Sequence, residues 1–334
     1  MSLFSKFRGP DDAAAGAAAD PPPTAAQPAE PIALESNSYP VWPSDRPIVV
    51  GRPTPVFEPV AVGDEFRRVP YRPDTVLDGW STGAFTVRAA SMRGHLHRHN
   101  GAPRQDDLAI THALGHRLNV AVADGVSGAA QSHVGATTAV RYASQWLADS
   151  APAGDSDIEW HTLFQYAAWA LIEQTVTVLG LPEADAGLAD QLLVTTLVVG
   201  ACDALADGTV SARLAAVGDS AAWLLSGGQF IPLLGGKSAS AAGLSSSAVD
   251  GLPRVPAEIA TARAIVRPGD VLLMGTDGFG DPLGGGDGQV GDLFRGLLAG
   301  RVPSLVEFGH ALDFSRETFD DDRTLVAIWP RPQQ

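Results

Sequence analysis

Aspartates recur where apolar runs of the sequence end. Asp106 and Asp107 stand together in RQDDLAI, Asp124 follows the apolar run in NVAVADGVSG, and Asp219 follows LAAV in VGDS. Asp277 follows VLLM in GTDGFGD, and Asp321 lies in FDDDRTLVAIW just before a closing apolar run. An aspartate that ends a buried strand puts a carboxylate at the edge of a sheet, and strands from distant parts of a chain can bring such edges to one place. Carboxylates in close contact repel one another unless some are protonated or a divalent cation neutralises them. Hard oxygen donors favour Mg²⁺ or Mn²⁺, and no Cys/His spacing here suggests zinc. A single Asp-Gly carries little weight, because the pair is a common turn and also occurs at Asp207-Gly208, Asp250-Gly251 and Asp287-Gly288. The ordered set is the stronger signal.

The elements that would position these aspartates begin near Ala84. Phe85 to Val87 and Leu118 to Ala123 read as strands, and Val140, Ala143, Trp146 and Leu147 give Val134 to Ala148 a helical period. A second helix starts with Asp157 as its N-cap and ends at Gly180 and Pro182. QLLVTTLVVGACDA and TVSARLAAV flank the turn Ala206-Asp207-Gly208, and Ala221 to Leu225 faces Phe230 to Leu234 across Ser226-Gly227-Gly228, so both pairs read as antiparallel hairpins. Helical stretches at Val290 to Leu298 and Val302 to Leu312 precede a last strand, Thr324 to Trp329. Gly235 to Ile259, rich in Gly, Ser and Ala without a period, reads as a flap or long loop. Hairpins between helical blocks predict an α+β fold rather than a doubly wound sheet.

Of the 334 residues, the first 75 are expected to form a disordered tail. Fourteen of the 25 prolines fall in the first 80 residues, and few apolar residues there keep any period. Tyr39, Trp42 and Phe57, set between prolines, would dock as a strap on the domain or meet a partner. The remainder, 76–334, is the size of one large domain. The net charge of −15 disfavours a phosphate backbone or an anionic membrane surface as partner. The single cysteine, Cys202, reads as a buried thiol in an apolar strand. The start MSLFSKFRGP has no apolar core of a signal peptide, and the longest apolar stretch falls well short of the ~20 residues of a membrane span. The expected location is the cytoplasm.

At the aspartates the sequence resembles the metal-dependent protein phosphatases of type 2C (the PPM family). The resemblance runs over about residues 84 to 330 and keeps the motif order RQDD, VAVADGVSG, VGDS, GTDG and DDRT. GHLHRHNGAPRQDD looks more like the bacterial branch, with its Gly-x-Pro-x-Gln-Asp approach. The resemblance implies an αββα sandwich, two antiparallel sheets flanked by helices, with a two-metal site at one end. It implies that Asp124 bridges two Mn²⁺ or Mg²⁺ ions, that the Gly125 carbonyl completes one coordination sphere, and that Asp277 and Asp321 are direct ligands. Asp106 takes the place usually held by glutamate, Asp107 acts through bound water, and Asp219 with Asp277 holds a weaker third ion.

The activity implied is hydrolysis of serine and threonine phosphomonoesters in proteins by a metal-bridging water, without a covalent intermediate. Consistent with that, there is no Cys-x5-Arg signature. Partners would be phosphorylated proteins, a cognate serine/threonine kinase or its substrates. The family's phosphate-binding arginine position is Ala102 here, so Arg98 and Arg104 are the substitutes. Val126 stands where some members carry a histidine, which leaves His97, His99 and His133 as candidates for a proton donor. The departures at Ala102 and Asp106 point to an alternative, a pseudophosphatase that binds phosphoproteins without turnover. A further rival is a scaffold in which the Pro-rich tail does the work.

Overall fold

The computed structural model describes residues 48–55, 72–113, 117–152, 154, 156–235 and 251–331. Its strands are β1 (Thr75–Asp78), β2 (Phe85–Met92), β3 (Asp107–Ala113), β4 (Arg117–Ala123), β5 (Leu197–Ala204), β6 (Val210–Val217), β7 (Ala221–Ser226), β8 (Gln229–Leu234), β9 (Ala260–Val266), β10 (Val271–Gly275) and β11 (Arg323–Pro330). The helices are α1 (His95–Asn100), α2 (Ser132–Ser150), α3 (Trp160–Leu179), α4 (Ala186–Leu192), α5 (Asp277–Leu283), α6 (Gln289–Leu298) and α7 (Leu305–Leu312). The strands form a six-stranded sheet, order β1-β2-β11-β10-β7-β8, and a five-stranded sheet, order β3-β4-β5-β6-β9. Every pairing between these strands is antiparallel.

Strand alternation builds the layers. Along β4, Val120 and Val122 point into a core between the two sheets, which also takes Phe85, Leu214, Leu272, Met274 and Ile328. Ala121 and Ala123 point the other way, to a core under α2 and α3 formed with Val140, Leu147, Leu163, Phe164 and Leu171. In the other sheet, Leu273 and Leu325 face outward to Phe279, Phe294, Phe308 and Phe314 beneath α5, α6 and α7. Central strands covered on both faces have no polar side, which is why β4, β6 and β11 are buried along their whole length. The result is the expected αββα sandwich. Cys202 sits in the core between the sheets, and burial pushes its thiol up to about 12.

Three expectations shift. Helix α3 begins at Trp160 with Glu159 at its cap position, while the Asp157 carboxylate pairs with Arg263. Of the expected flap, residues 236–250 lie outside the described residues, but Leu252 is fully buried and exchanges backbone hydrogen bonds with Thr195 (2.8 and 3.1 Å). Residues 48–55, placed in the tail by composition, pack on the domain. Val50 donates its N–H to Ser315 O (2.9 Å), Ser315 donates to Ile48 O (2.8 Å), and Glu317 donates to Arg52 O (2.7 Å). Val50 is buried against the α5–α7 core, so the folded body extends beyond a boundary at 75. Tyr39, Trp42 and Phe57 lie outside the described residues. Among the described residues no helix is long and apolar enough to cross a membrane.

If the strap is part of the core, Val50→Ala lowers unfolding stability by about 1.5–3 kcal/mol. Val49→Ala, at a side chain 53% exposed, changes it by less than about 0.5 kcal/mol. Denaturant midpoints measure both, and equal effects would refute the packing of this segment.

Candidate metal centre

Antiparallel register gathers the aspartates at one end of the sandwich. Asp107 opens β3 opposite Ala123, which closes β4, so Asp106 and Asp124 flank the same sheet edge. β5 starts there too: Thr196 donates its N–H to Asp124 O (2.8 Å), and Thr195 Oγ1 donates to the same carbonyl (2.8 Å). Asp124 N–H returns a bond to Thr196 Oγ1 (3.1 Å), which lies 2.6 Å from Ser220 Oγ, placing the Asp219-Ser220 turn on this edge. In the six-stranded sheet, β10 ends at Gly275 opposite Leu325, so Asp277, the first residue of α5, and Asp321, just before β11, share an edge. Asp106 joins the two sheets. Its Oδ2 accepts hydrogen bonds from Thr276 Oγ1 and Thr324 Oγ1, both at 2.8 Å. Close approach also demands glycine at position 278, where a Cβ would lie 1.8 Å from Asp322 O.

The electrostatics of the cluster are unfavourable without a cation. Burial, then the charges of Asp322 and Asp321, hold Asp106 well above the usual carboxylate range. Burial raises Asp124 likewise, with Asp106, Asp277 and Asp321 adding repulsion and a hydrogen bond shared with Asp277. Asp321 is pushed up to about 6 by burial and by Asp322, although half of its side chain meets water. Asp106 Oδ1 is buried with no hydrogen-bond partner. A concentration of carboxylate oxygens, one of them orphaned, fits a hard divalent cation. A second grouping, His97, Asp321 and Asp322, brings ligand atoms within 4.8 Å of one another. Asp322, however, is already committed: it accepts from Gly94 N–H (2.6 Å) and Gln105 N–H and lies 2.9 Å from His97 Nδ1. Burial opposes charge on both members of this pair. Their mutual attraction prevails, lowering Asp322 and raising His97 to about 9.

The residues named from sequence are distributed unevenly. Asp106, Asp124, Asp277 and Asp321 are electrostatically coupled in one cluster, with the Gly125 backbone beside Asp124. Asp107 is separated from them by the pleat, which turns adjacent side chains to opposite faces. Its carboxylate accepts from Thr137 Oγ1 (2.6 Å) and pairs with Arg72 (3.4 Å) and Arg104 (3.6 Å), so it anchors the strand end instead of joining Asp106. The two arginines expected to hold phosphate are engaged elsewhere. Arg98 pairs with Asp74 (3.1 Å) and Asp313 (2.9 Å), while Arg104 is buried and donates to Ser91 Oγ and the carbonyls of Asp106 and Pro73. Of the histidines, His97 is the ion-pair partner of Asp322, His99 lies near the end of α1, and His133 in α2 is depressed to about 4 by burial and by Arg72. Thr276, Thr324, Asp322 and Arg72 were not singled out from sequence. The two threonines stand inside GTDG and DDRT, so the motifs themselves contained the signal.

A family model described as protein phosphatase 2C matches residues 93–302. The chain belongs to the protein phosphatase 2C family. Its enzyme class is accordingly that of the protein serine/threonine phosphatases. Asp321 and Asp322 lie beyond the matched stretch and reach the cluster through β11. No curated protein matches the chain by sequence. Among solved structures, the chain is similar to RsbX in complex with magnesium (TM-score 0.50, 13% identity, 77% of this chain and 100% of that one). It is also similar to the catalytic domain of the serine/threonine phosphatase PstP with two manganese ions (0.50, 18%, 74% and 98%). The serine/threonine phosphatase of S. agalactiae matches to a like extent (0.50, 14%, 74% and 100%). These likenesses establish the fold.

The shifted groups make the stability of the metal-stripped protein depend on pH. Asp321 binds its proton more tightly folded (about 6) than unfolded (3.8), so the folded state loses stability as pH rises through that window. His97 acts in the same direction between 6.5 and about 9. His133, held at about 4 against 6.5 unfolded, acts in the opposite direction below pH 6.5, so the melting temperature of the stripped protein should fall from pH 7 to pH 9, and saturating Mn²⁺ should flatten the fall. A melting temperature that climbs across this interval contradicts the cluster described.

Proposed function

We propose that this protein phosphatase 2C domain hydrolyses phosphoserine and phosphothreonine in proteins, using two Mn²⁺ or Mg²⁺ ions held by Asp106, Asp124, the Gly125 carbonyl, Asp277 and Asp321. The observation that carries the reading is the buried carboxylate cluster with the orphaned Asp106 Oδ1. Asp219, in the adjoining β6–β7 turn, serves with Asp277 as an accessory site for a weaker third ion. Bound divalent ions supply Lewis acidity, lowering the pKa of water and offsetting charge on phosphoryl oxygens. The magnesium bound to RsbX and the manganese bound to the PstP catalytic domain support this choice of ion.

The chain's own residues hold that chemistry in place. Thr276 and Thr324 fix the Asp106 side chain, and Thr195 and Thr196 fix the Asp124 backbone. The His97–Asp322 pair ties α1 to the segment that carries Asp321. Arg98 and Arg104 brace the chain around the site. The substrates are phosphorylated proteins, with a cognate serine/threonine kinase or its targets as the partners, in a bacterial cytoplasm. The lone buried cysteine and the absence of a long apolar helix among the described residues support that location. The rival reading, a pseudophosphatase, draws on Ala102 and on Asp106, whose Oδ2 is already occupied by two threonine hydroxyls.

Purified protein should hydrolyse an aryl phosphate and a phosphothreonine peptide with Mn²⁺ and lose both activities in a chelator. Asp124→Ala and Asp277→Ala should each lower kcat by about a thousand-fold or more, while Asp219→Ala keeps measurable turnover with an altered metal requirement. Because Asp124→Ala relieves repulsion, its metal-free form should melt higher than wild type, which separates lost chemistry from lost folding. Phosphopeptide binding with no turnover in any metal would establish the pseudophosphatase instead.

A further inference from the structure

A cleft of about 590 Å³ opens at the end of the sandwich that carries the carboxylates, on the helix-covered side of β3. It lies between α2 and the segment entering β1, lined by Arg72, Arg104, Asp107, Thr137, Arg141 and Tyr142. The β3 pleat that separates Asp107 from Asp106 puts this cleft and the metal centre on opposite sides of one strand end. Its lining carries three guanidinium groups against one carboxylate, in a chain whose net charge is −15. Positive charge concentrated beside the active edge of an acidic protein raises the local concentration of anions there.

The three arginines differ in what they can offer. Arg104 is buried and bonded to Ser91 and to backbone carbonyls. Arg72 donates to the carbonyls of Arg104 and Asp106 and to Thr137 Oγ1 (2.5 Å). Both contribute charge but few spare donors. Arg141 is exposed on α2 at the mouth of the cleft and forms no ion pair among the described residues. Next to it, Tyr142 packs on Tyr166 (5.5 Å) and Trp169 (6.2 Å), and Trp169 is 48% exposed. A charged mouth bordered by an open aromatic surface suits an extended acidic peptide, whose chain lies on the rings while one side chain enters the cleft.

Resting on the phosphatase reading, we propose that the cleft is a second anion subsite, taking a carboxylate or a second phosphate borne by the substrate polypeptide beside the phosphoresidue undergoing hydrolysis. Arg141 is the specificity-determining residue of this subsite, and the substrate class is phosphoproteins with acidic or multiply phosphorylated flanks.

The test compares kcat/KM on phosphothreonine peptides whose flanking positions are glutamate, glutamine or a second phosphothreonine. For the wild type, at least one anionic peptide should exceed the glutamine peptide by about five-fold, the scale of an exposed ion pair. Arg141→Ala should remove the preference and Arg141→Glu should reverse it, with thermal unfolding showing both variants folded. A preference for glutamate identifies a carboxylate as the ligand, and one for the second phosphothreonine alone identifies a phosphate. Equal values for the three peptides in wild type, or a preference that survives Arg141→Glu, would overturn the subsite. If wild type hydrolyses no peptide, the phosphatase reading fails separately, and fluorescence anisotropy of the same labelled peptides tests the subsite. Tighter binding of an anionic peptide, lost in Arg141→Glu, supports it; equal binding overturns it.

Discussion

The mutual repulsion of buried carboxylates governs the rest of this structure. Strands of both sheets deliver Asp106, Asp124, Asp277, Asp321 and Asp322 to one edge, where each raises the cost of ionising its neighbours. Much of the surrounding chemistry offsets that cost. Asp322 is neutralised by His97 and two backbone N–H groups, Asp107 is turned away to Arg72 and Arg104, and half of Asp106 is satisfied by threonine hydroxyls. The repulsion left over centres on Asp106 Oδ1 and on the group around Asp124. That residue of uncompensated charge is what a divalent cation would relieve, and it is why the cluster reads as a functional site and not as an ordinary ion-pair network.

The sandwich supplies the rigidity that such an arrangement needs. Asp106 belongs to the edge of one sheet, and its threonine partners belong to the other, so the carboxylate reports on the relative placement of both. Thr324 Oγ1 also lies 2.7 Å from Ser91 Oγ on β2, from which it can accept, and Thr324 N–H donates to Thr276 Oγ1, which extends the network along three adjacent strands. A cluster tied to strand ends, and not to free loops, keeps its carboxylates fixed in place. The outer helices then provide surfaces that can vary without moving the carboxylates, and the cleft on α2 is such a surface.

Much of this was legible in the sequence because the controlling pattern is local. An aspartate after a run such as NVAVA or VLLM marks a strand end wherever the strand lies, so Asp124 and Asp277 were readable before any topology was known. The hairpins around Asp207-Gly208 and Gly227-Gly228 were readable for the same reason. The division between Asp106 and Asp107 depends on which face of β3 meets the helices, a tertiary fact that two adjacent identical letters do not encode. The role of Arg72 rests on backbone carbonyls, which carry no sequence signature, and Asp322 was hidden by its neighbours in FDDDRT. Composition misplaced residues 48–55, because Ile48, Val49 and Val50 are one short apolar run among prolines, and the packing of Ile48 and Val50 depends on a partner, Ser315, more than 250 residues away.

The most direct measurement of metal binding by the carboxylate cluster is an anomalous difference map from a crystal grown with Mn²⁺. Peaks are expected within coordination distance of Asp124, Asp277 and Asp321, with Asp106 turned toward them. Empty density there, or a peak confined to His97, Asp321 and Asp322, would show that the carboxylate cluster is not the metal centre.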